Sequence, residues 1–194
     1  MEHYPTKEHI EAAARHIKPF VHHTPVMTSK TVNAMVGANI FLKCENFQKV
    51  GAFKYRGATN AVLMLTDTER KNGVATHSSG NHAQALALAA RNHGLKAYIV
   101  MPENSSRVKM DAVKGYGAEV TTCIPTQKAR EETLAKVVES TGATFIHPYN
   151  NYHIIAGQAT AAKELIEEVP ELDIIMAPVG GGGLLSGTAL ATHY

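Results

Sequence analysis

Lys54 lies in an apolar and aromatic stretch, residues 51–57, that directly follows a strand-like segment. Burial of an amine disfavours its charged form, lowers its pKa and leaves a nucleophile that can attack a carbonyl carbon. The ordinary alternative is a lysine at a helix start, whose stem packs while its ammonium stays in water. The stretch alone leaves both interpretations open, and two further motifs favour the first.

The second motif, Ser-Ser-Gly-Asn-His over residues 78–82, stands where a predicted strand gives way to a helix. The first N–H groups of a helix have no partner within it, so they readily bind carboxylates and phosphates. Hydroxyl and amide side chains next to such groups predict a ligand site. Capping of the helix by Ser79 or Asn81 is the alternative, and both interpretations stay open at this point.

The third motif is a run of four glycines, residues 180–183, after another strand-like segment. Glycine lets the backbone approach an anion closely and form a concave set of N–H groups, so the run predicts a phosphate site. A dinucleotide fingerprint competes, but when it is aligned on Gly181 and Gly183 its third glycine position is Ser186. The phosphate-loop ending Gly-Lys-Ser/Thr is also absent from this run.

Strands that alternate with helices are needed to position these motifs, and from Gly73 onward the sequence predicts them regularly. The predicted strands cover residues 40–44, 73–77, 97–101, 119–123, 144–146 and 173–179. The predicted helices cover residues 6–18, 29–36, 54–65, 82–93, 106–116, 126–140 and 152–169. This alternation indicates an α/β fold with parallel sheets and flanking helices, in which ligands bind where strands end.

The composition narrows the class of protein and of partner. The chain has 194 residues, 44% of them hydrophobic, and a formal net charge of +2 with interspersed signs. Neither a nucleic-acid partner nor a membrane partner is predicted. Cys44 and Cys123 lie far apart and the N-terminus lacks a signal-peptide pattern, so a cytoplasmic location is expected. The eleven histidines show no metal-ligand spacing, and no metal site is predicted among them.

The three motifs together match the needs of pyridoxal phosphate: a covalent amine, a phosphate site and a grip on an amino-acid carboxylate. With residues 45–49 before the first motif and 156–158 before the last, they resemble the serine racemase and serine/threonine dehydratase group. This group belongs to the tryptophan-synthase-β-like, fold type II enzymes. The resemblance covers nearly the whole chain, with the motifs in the same order.

The resemblance implies a role for each motif residue. Lys54 would bond the cofactor covalently, Phe53 would pack near its ring and Asn81 would bind its phenolic oxygen. The phosphate would be held by Gly180, Gly181, Gly182 and Gly183. The substrate carboxylate would be surrounded by Ser78, Ser79, Asn81, His82 and Arg130. Ser79 would also be the proton carrier on the face opposite Lys54.

The resemblance further implies two domains: residues 1–52 and 148–194 in a larger one, and residues 53–147 in a smaller one. The family's catalytic chains continue beyond the position of Tyr194, so the larger domain is expected to be incomplete. A homodimer or higher homo-oligomer is expected, with a divalent cation and ATP as optional activators of the complete enzyme. Positions similar to the family's nucleotide site are Ser29, Lys30, Thr31, Lys49, Gln84 and Tyr116, whereas Tyr149 replaces a polar residue there.

The implied activity is dehydration of L-serine or L-threonine to a 2-oxo acid and ammonia. Serine racemisation is the alternative, since reprotonation from the Ser79 face would invert the α-carbon. A third possibility is a truncated domain of this fold that binds cofactor or partners without turnover. A nucleotide-dependent oxidoreductase ranks behind these because the third fingerprint glycine is missing.

Overall fold

The computed structural model of the chain describes residues 4–194. Its helices are α1 (Lys7–Ile17), α2 (Lys30–Val36), α3 (Lys54–Leu63), α4 (Asp67–Arg70), α5 (Asn81–Asn92), α6 (Arg107–Gly115), α7 (Gln127–Thr141), α8 (Tyr152–Glu168) and α9 (Gly183–His193). Its strands are β1 (Val26–Thr28), β2 (Phe41–Lys43), β3 (Val74–His77), β4 (Ala97–Pro102), β5 (Glu119–Cys123) and β6 (Thr144–Phe145). Two short 3-10 turns, Glu45–Phe47 and Lys49–Gly51, precede α3.

Four strands form a parallel sheet in the order β5-β4-β3-β6, which confirms the predicted α/β class. The chain runs outward from β3 through β4 to β5, then returns through α7 to place β6 on the other side of β3. The connection therefore reverses direction between β3 and β6. A separate antiparallel pair, β1 and β2, aligns Val26 with Lys43.

Both faces of the parallel sheet are covered, and the strand residues divide between the two cores with the period of two that a strand imposes. Val74, Ile99 and Met101 pack on one side with the alanine-rich helix α5. Ala75 and Val100 pack on the other side, against α7. Burial on both faces explains why the central strand β4 reads as a continuous apolar run in the sequence.

Helices α3 and α8 cross at two glycines. A Cβ added to Gly57 would lie 2.7 Å from the Ile154 carbonyl oxygen, and one added to Gly157 would lie 2.6 Å from the Gly57 Cα. Helix α9 packs on α8 in a similar way, because a Cβ on Gly187 would meet the Ala159 nitrogen at 2.7 Å. Glycine at these positions lets the helix backbones come into contact.

One predicted strand is wrong. Residues 173–179 form no strand, and Ile174 and Met176 are 76% and 82% exposed instead of buried. A strand needs a hydrogen-bonded neighbour, and within residues 4–194 no other strand pairs with this segment. No helix in the described part of the chain is long and apolar enough to cross a membrane.

Candidate functional site

The candidate site lies at the carboxyl ends of β3 and β6, where the chain reverses its direction across the sheet. Ligands of open α/β sheets bind at such a reversal, because the loops from the two adjacent strands diverge and leave a crevice. Residues 78–82 follow β3, and residues 146–151 follow β6. The Lys54 end of α3 completes the site, since the Lys54 Nζ reaches the segment after β6.

Lys54 is the first residue of α3, and its amine is partly buried. Its Nζ donates a hydrogen bond to the Pro148 carbonyl at 2.8 Å and lies 5.4 Å from the centre of the Phe53 ring. Burial lowers the pKa of Lys54 below its ordinary value. The backbone just before it is unusual, because Val50 and Gly51 both have positive φ angles, 58° and 67°. The predicted desolvated lysine is therefore present.

The Ser-Ser-Gly-Asn-His motif forms the turn into α5. Gly80 holds the cap position and no side chain caps the helix, so neither Ser79 nor Asn81 serves as the cap. Both residues are exposed, whereas Ser78 is partly buried and its Oγ accepts a 3.3 Å hydrogen bond from the Gly80 nitrogen. The capping alternative for this motif is wrong, and its hydroxyl and amide groups remain open to a ligand.

His82 is buried beside the lysine, with 2% of its surface exposed. Burial is the main cause that lowers the pKa of His82 to about 3, and the charge of Lys54 is the second cause. The nearby Ile146 carbonyl weakly opposes this lowering, but neither ring nitrogen has a partner with hydrogen-bond geometry among the described residues. A neutral imidazole without a partner is costly to bury, and such groups are typical of binding sites.

The turn after β6 was not predicted as part of the site. The His147 Nδ1 accepts hydrogen bonds from the backbone nitrogens of Tyr149 at 3.3 Å and of Asn150 at 2.9 Å. The Tyr149 ring packs edge-on against His147, with 4.5 Å between ring centres. The position of His147 two residues after β6, which pairs with β3, could have identified it, because the carboxyl ends of parallel strands lie at one edge of the sheet.

The glycine run approaches the same turn. A Cβ on Gly181 would collide with the Tyr149 ring, and one on Gly183 would lie 3.1 Å from the Tyr149 carbonyl oxygen. Gly182 has a φ of +90° and precedes α9, which has no side-chain cap. Gly180 has open space around it. The run therefore presents uncapped helix N–H groups, as the sequence predicted for an anion site.

Arg130 lies on α7, partly buried, and its Nε has no hydrogen-bond partner among residues 4–194. Burial lowers the pKa of His77, the last residue of β3, while the charge of Glu131 opposes this lowering and the charge of Arg130 adds to it. Arg130 is thus near the sheet edge that carries the site. The structure shows no hydrogen bond between Arg130 and the other predicted substrate residues in the described range.

Arg56, two residues after Lys54, was also missed as a structural element of the site. Its fully buried guanidinium binds both oxygens of Glu45 at 2.8 Å and both oxygens of Glu164 at 2.6 and 2.8 Å. Lys43 donates to Glu164 from the other side at 2.9 Å. This charge cluster joins the segment before α3 to α8, and so fixes the helix that carries Lys54.

Comparison with known proteins places this geometry in a family. Residues 17–194 match the model of the family described as "Pyridoxal-phosphate dependent enzyme". The chain is 53% identical over 186 residues to the beta-hydroxyaspartate dehydratase of Paracoccus denitrificans, covering 96% of this chain and 59% of that protein. It is 52% identical over 181 residues to a serine racemase of Oryza sativa subsp. indica, covering 93% and 53%.

The same relationship holds in three dimensions. The structure of maize serine racemase superposes with a TM-score of 0.95 and 48% identity, covering 97% of this chain and 57% of that one. The chain spans somewhat more than half the length of the curated relatives it matches.

Proposed function

Because the chain belongs to the pyridoxal-phosphate dependent enzyme family, we propose that it dehydrates L-hydroxy amino acids to a 2-oxo acid and ammonia. The observation that carries the proposal is the partly buried Lys54 amine, which lies near a buried, neutral His82 whose ring nitrogens have no partner with hydrogen-bond geometry among residues 4–194. L-Serine and L-threonine are the proposed substrates.

The residues present fit pyridoxal phosphate. Lys54 offers an amine with a lowered pKa, and the uncapped start of α9 with its glycines offers N–H groups for a phosphate. Asn81 is exposed at the start of α5 and would bind the phenolic oxygen. When bound, the cofactor supplies an electron sink that stabilises negative charge on the substrate α-carbon.

The protein residues supply proton transfer and orientation. Lys54 in its neutral form would remove the α-proton, and the lowered pKa keeps more of it neutral near physiological pH. Ser78 and the first N–H groups of α5 would orient the substrate carboxylate. His82 stays uncharged at neutral pH and would therefore act by hydrogen bonding rather than by charge.

Racemisation of serine is the second candidate. The exposed Ser79 hydroxyl, which caps no helix, supports it, because inversion needs a proton carrier on the face opposite Lys54. The name of the rice relative is consistent with this activity. The name of the Paracoccus relative adds 3-hydroxyaspartate as a substrate to test, and the unpartnered Arg130 Nε could meet its second carboxylate.

The test begins with the cofactor. We expect the purified chain to turn yellow with pyridoxal phosphate, and borohydride to fix the cofactor to the peptide that contains Lys54. Lys54→Ala should lose this label, whereas the neighbouring Lys49→Ala should keep it. Release of 2-oxo acid from L-serine, L-threonine and 3-hydroxyaspartate would then rank the substrates. A chain that takes up no pyridoxal phosphate would refute the proposal.

A further part of the proposal concerns the cellular location and the assembly of the enzyme. We propose a cytoplasmic homo-oligomer, with a divalent cation and ATP as optional activators of the complete enzyme. Two free cysteines, Cys44 and Cys123, are consistent with a reducing compartment. Equilibrium sedimentation, with and without magnesium and ATP, would test the assembly.

A further inference from the structure

The turn that follows β6 connects two parts of the candidate site that are far apart in sequence. At one side, its Pro148 carbonyl accepts the hydrogen bond of the Lys54 amine at 2.8 Å. At the other side, its Tyr149 ring packs against Gly181 of the glycine run, and the Tyr149 backbone lies beside Gly183. The conformation of this turn therefore determines both where the lysine amine lies and how the glycine run lies.

His147 determines the conformation of the turn. A single acceptor atom, its Nδ1, receives the backbone N–H groups of Tyr149 and Asn150 at 3.3 and 2.9 Å. An imidazole nitrogen that accepts hydrogen bonds carries no proton, so the proton of the neutral ring is on Nε2. Protonation of Nδ1 would remove both bonds at once, because the ring would become a donor at that atom.

The surroundings of His147 favour the neutral form of its ring. His77 on β3 lies 6.4 Å away between ring centres, Phe145 on β6 5.7 Å away, and Tyr149 4.5 Å away. Burial lowers the pKa of His147, and the charges of His77 and of Lys54 on α3 lower it further. Glu131 on α7 acts in the opposite direction. Three structural elements, β3, α3 and α7, thus present titratable groups to this ring.

We propose that His147 is a positioning residue: through its unprotonated Nδ1 it holds the turn that presents the Pro148 carbonyl to Lys54 and the Tyr149 ring to the glycine run. His147 touches neither substrate nor cofactor in this role. The proposal rests on the role proposed for Lys54 only in its consequence for catalysis. The position and protonation of the Lys54 amine can be measured without cofactor, so failure of the two proposals can be told apart.

Two variants of His147 separate the effect of its hydrogen-bond acceptor from the effect of its aromatic ring. His147→Phe keeps an aromatic ring against Tyr149 but has no acceptor atom. His147→Asn loses the ring but can accept the same backbone N–H groups through its side-chain oxygen, as asparagine does in turns. His77→Phe is the matched control, because it replaces a neighbouring histidine at the same sheet edge that accepts no backbone N–H of the turn.

The measurement is the pH profile for labelling of Lys54 by an amine-reactive reagent on the cofactor-free chain, read by mass spectrometry of the Lys54 peptide. Loss of the turn exposes the amine to water, so in His147→Phe we expect the labelling midpoint to rise toward that of an ordinary lysine. His147→Asn and His77→Phe should stay close to the parent. Equal midpoints for parent and His147→Phe would overturn the proposal, as would equal shifts in the Asn and Phe variants.

A second measurement uses the unaltered chain and does not depend on any variant folding. Nitrogen-15 NMR of the imidazoles reports which ring nitrogen carries the proton. We expect the Nε2–H form for His147 at neutral pH, and loss of exchange protection at the Asn150 amide as acid protonates the ring. A His147 ring with its proton on Nδ1 at neutral pH would refute the proposal.

Discussion

Lys54 and Arg56 lie two residues apart on the first turn of α3, yet the protein treats their positive groups in opposite ways. Burial alone lowers the pKa of Arg56, but the hydrogen bonds and charges of Glu45 and Glu164 outweigh it and raise the pKa above its ordinary value. Among residues 4–194, Lys54 has the Pro148 carbonyl as its hydrogen-bond partner and no carboxylate that raises its pKa, so burial lowers that pKa.

The difference separates a structural cation from a reactive one. A guanidinium matched by two carboxylates is held in one place and stays charged. An amine that is buried without a counter-charge is ready to lose its proton and to exchange its weak partner for a covalent one. The Arg56 guanidinium holds α3 in place, and the Lys54 amine depends on the position that this anchoring gives it.

The prediction with the largest expected effect compares the removal of the Arg56 guanidinium with the removal of the Lys54 amine. Arg56→Met removes the cationic partner of Glu45 and leaves Glu164 with Lys43, so we expect a loss of about 3–5 kcal/mol in the free energy of unfolding. Lys54→Met, two residues away, removes one hydrogen bond and should cost no more than about 1 kcal/mol. Urea unfolding followed by circular dichroism measures both. Equal losses in the two variants would show that the contrast is wrong.

The second prediction concerns the hydroxyl of Ser79, which is exposed, whereas the Arg56 guanidinium is buried and held by ion pairs. In the holoenzyme, Ser79→Ala should lower serine racemisation about 100-fold, because a donor on the face opposite Lys54 is lost. Dehydration of the L-substrate should continue at a substantial rate, since Lys54 is intact. Chiral chromatography and 2-oxo acid release measure the two activities. Parental racemisation in the variant would exclude Ser79 as the proton carrier.

The third prediction concerns His82, the buried neutral histidine near Lys54. Because the pKa of His82 is lowered to about 3, the unfolded chain binds more protons than the native one between pH 3 and 6.5. Stability from this group is complete above pH 6.5 and is lost as the pH falls. In His82→Gln we expect the free energy of unfolding to fall less steeply as the pH decreases from 6.5 to 5, by up to about 1.4 kcal/mol per pH unit.

Chemical denaturation at several pH values tests this expectation. His16→Gln is the control, because His16 lies on the exposed face of α1. An unchanged slope in the His82 variant would mean that the buried imidazole is not kept neutral in the native state.

The smallest effect distinguishes two neighbouring glycines of the run. Gly181→Ala would push its methyl group into the Tyr149 ring, and we expect about a five-fold weaker affinity for pyridoxal phosphate, equivalent to about 1 kcal/mol. Gly180→Ala meets no atom within 4 Å and should change the affinity less than two-fold or so. Spectroscopic titration with the cofactor measures both, and a larger loss at Gly180 would contradict the assigned contact.

The sequence predicted those parts of the fold that local patterns determine. The apolar runs of β3 and β4 and the glycines that end α2 and α7 identify their elements without knowledge of the rest. The apolar neighbours of Lys54 left its environment open, the two further motifs favoured a desolvated amine, and the structure has this amine partly buried. The segment 173–179 has the same apolar pattern as β4, but a pattern does not provide the neighbouring strand that would complete its hydrogen bonds.

What the sequence could not predict depends on contacts between distant segments. Arg56 binds Glu45, 11 residues away, and Glu164, 108 residues away, and no local pattern selects those two carboxylates. His147 was counted among the histidines without a role, because its two hydrogen bonds exist only once the turn after β6 has formed. The assigned roles of the site residues and the domain boundaries remain predictions.

The glycine contact between α3 and α8 also has a consequence for movement. The backbones of α3 and α8 touch at Gly57 and Gly157, so neither helix has room to slide or tilt against the other. We therefore expect α3, which carries Lys54, and α8 to move together as one rigid unit. Closure over a substrate would then have to carry α3 and α8 together, although the predicted boundaries at residues 53 and 147 place these helices in different domains. Hinge motion at those two boundaries alone would separate Gly57 from Gly157, so the contact predicts that any hinge of the smaller domain lies beyond α3.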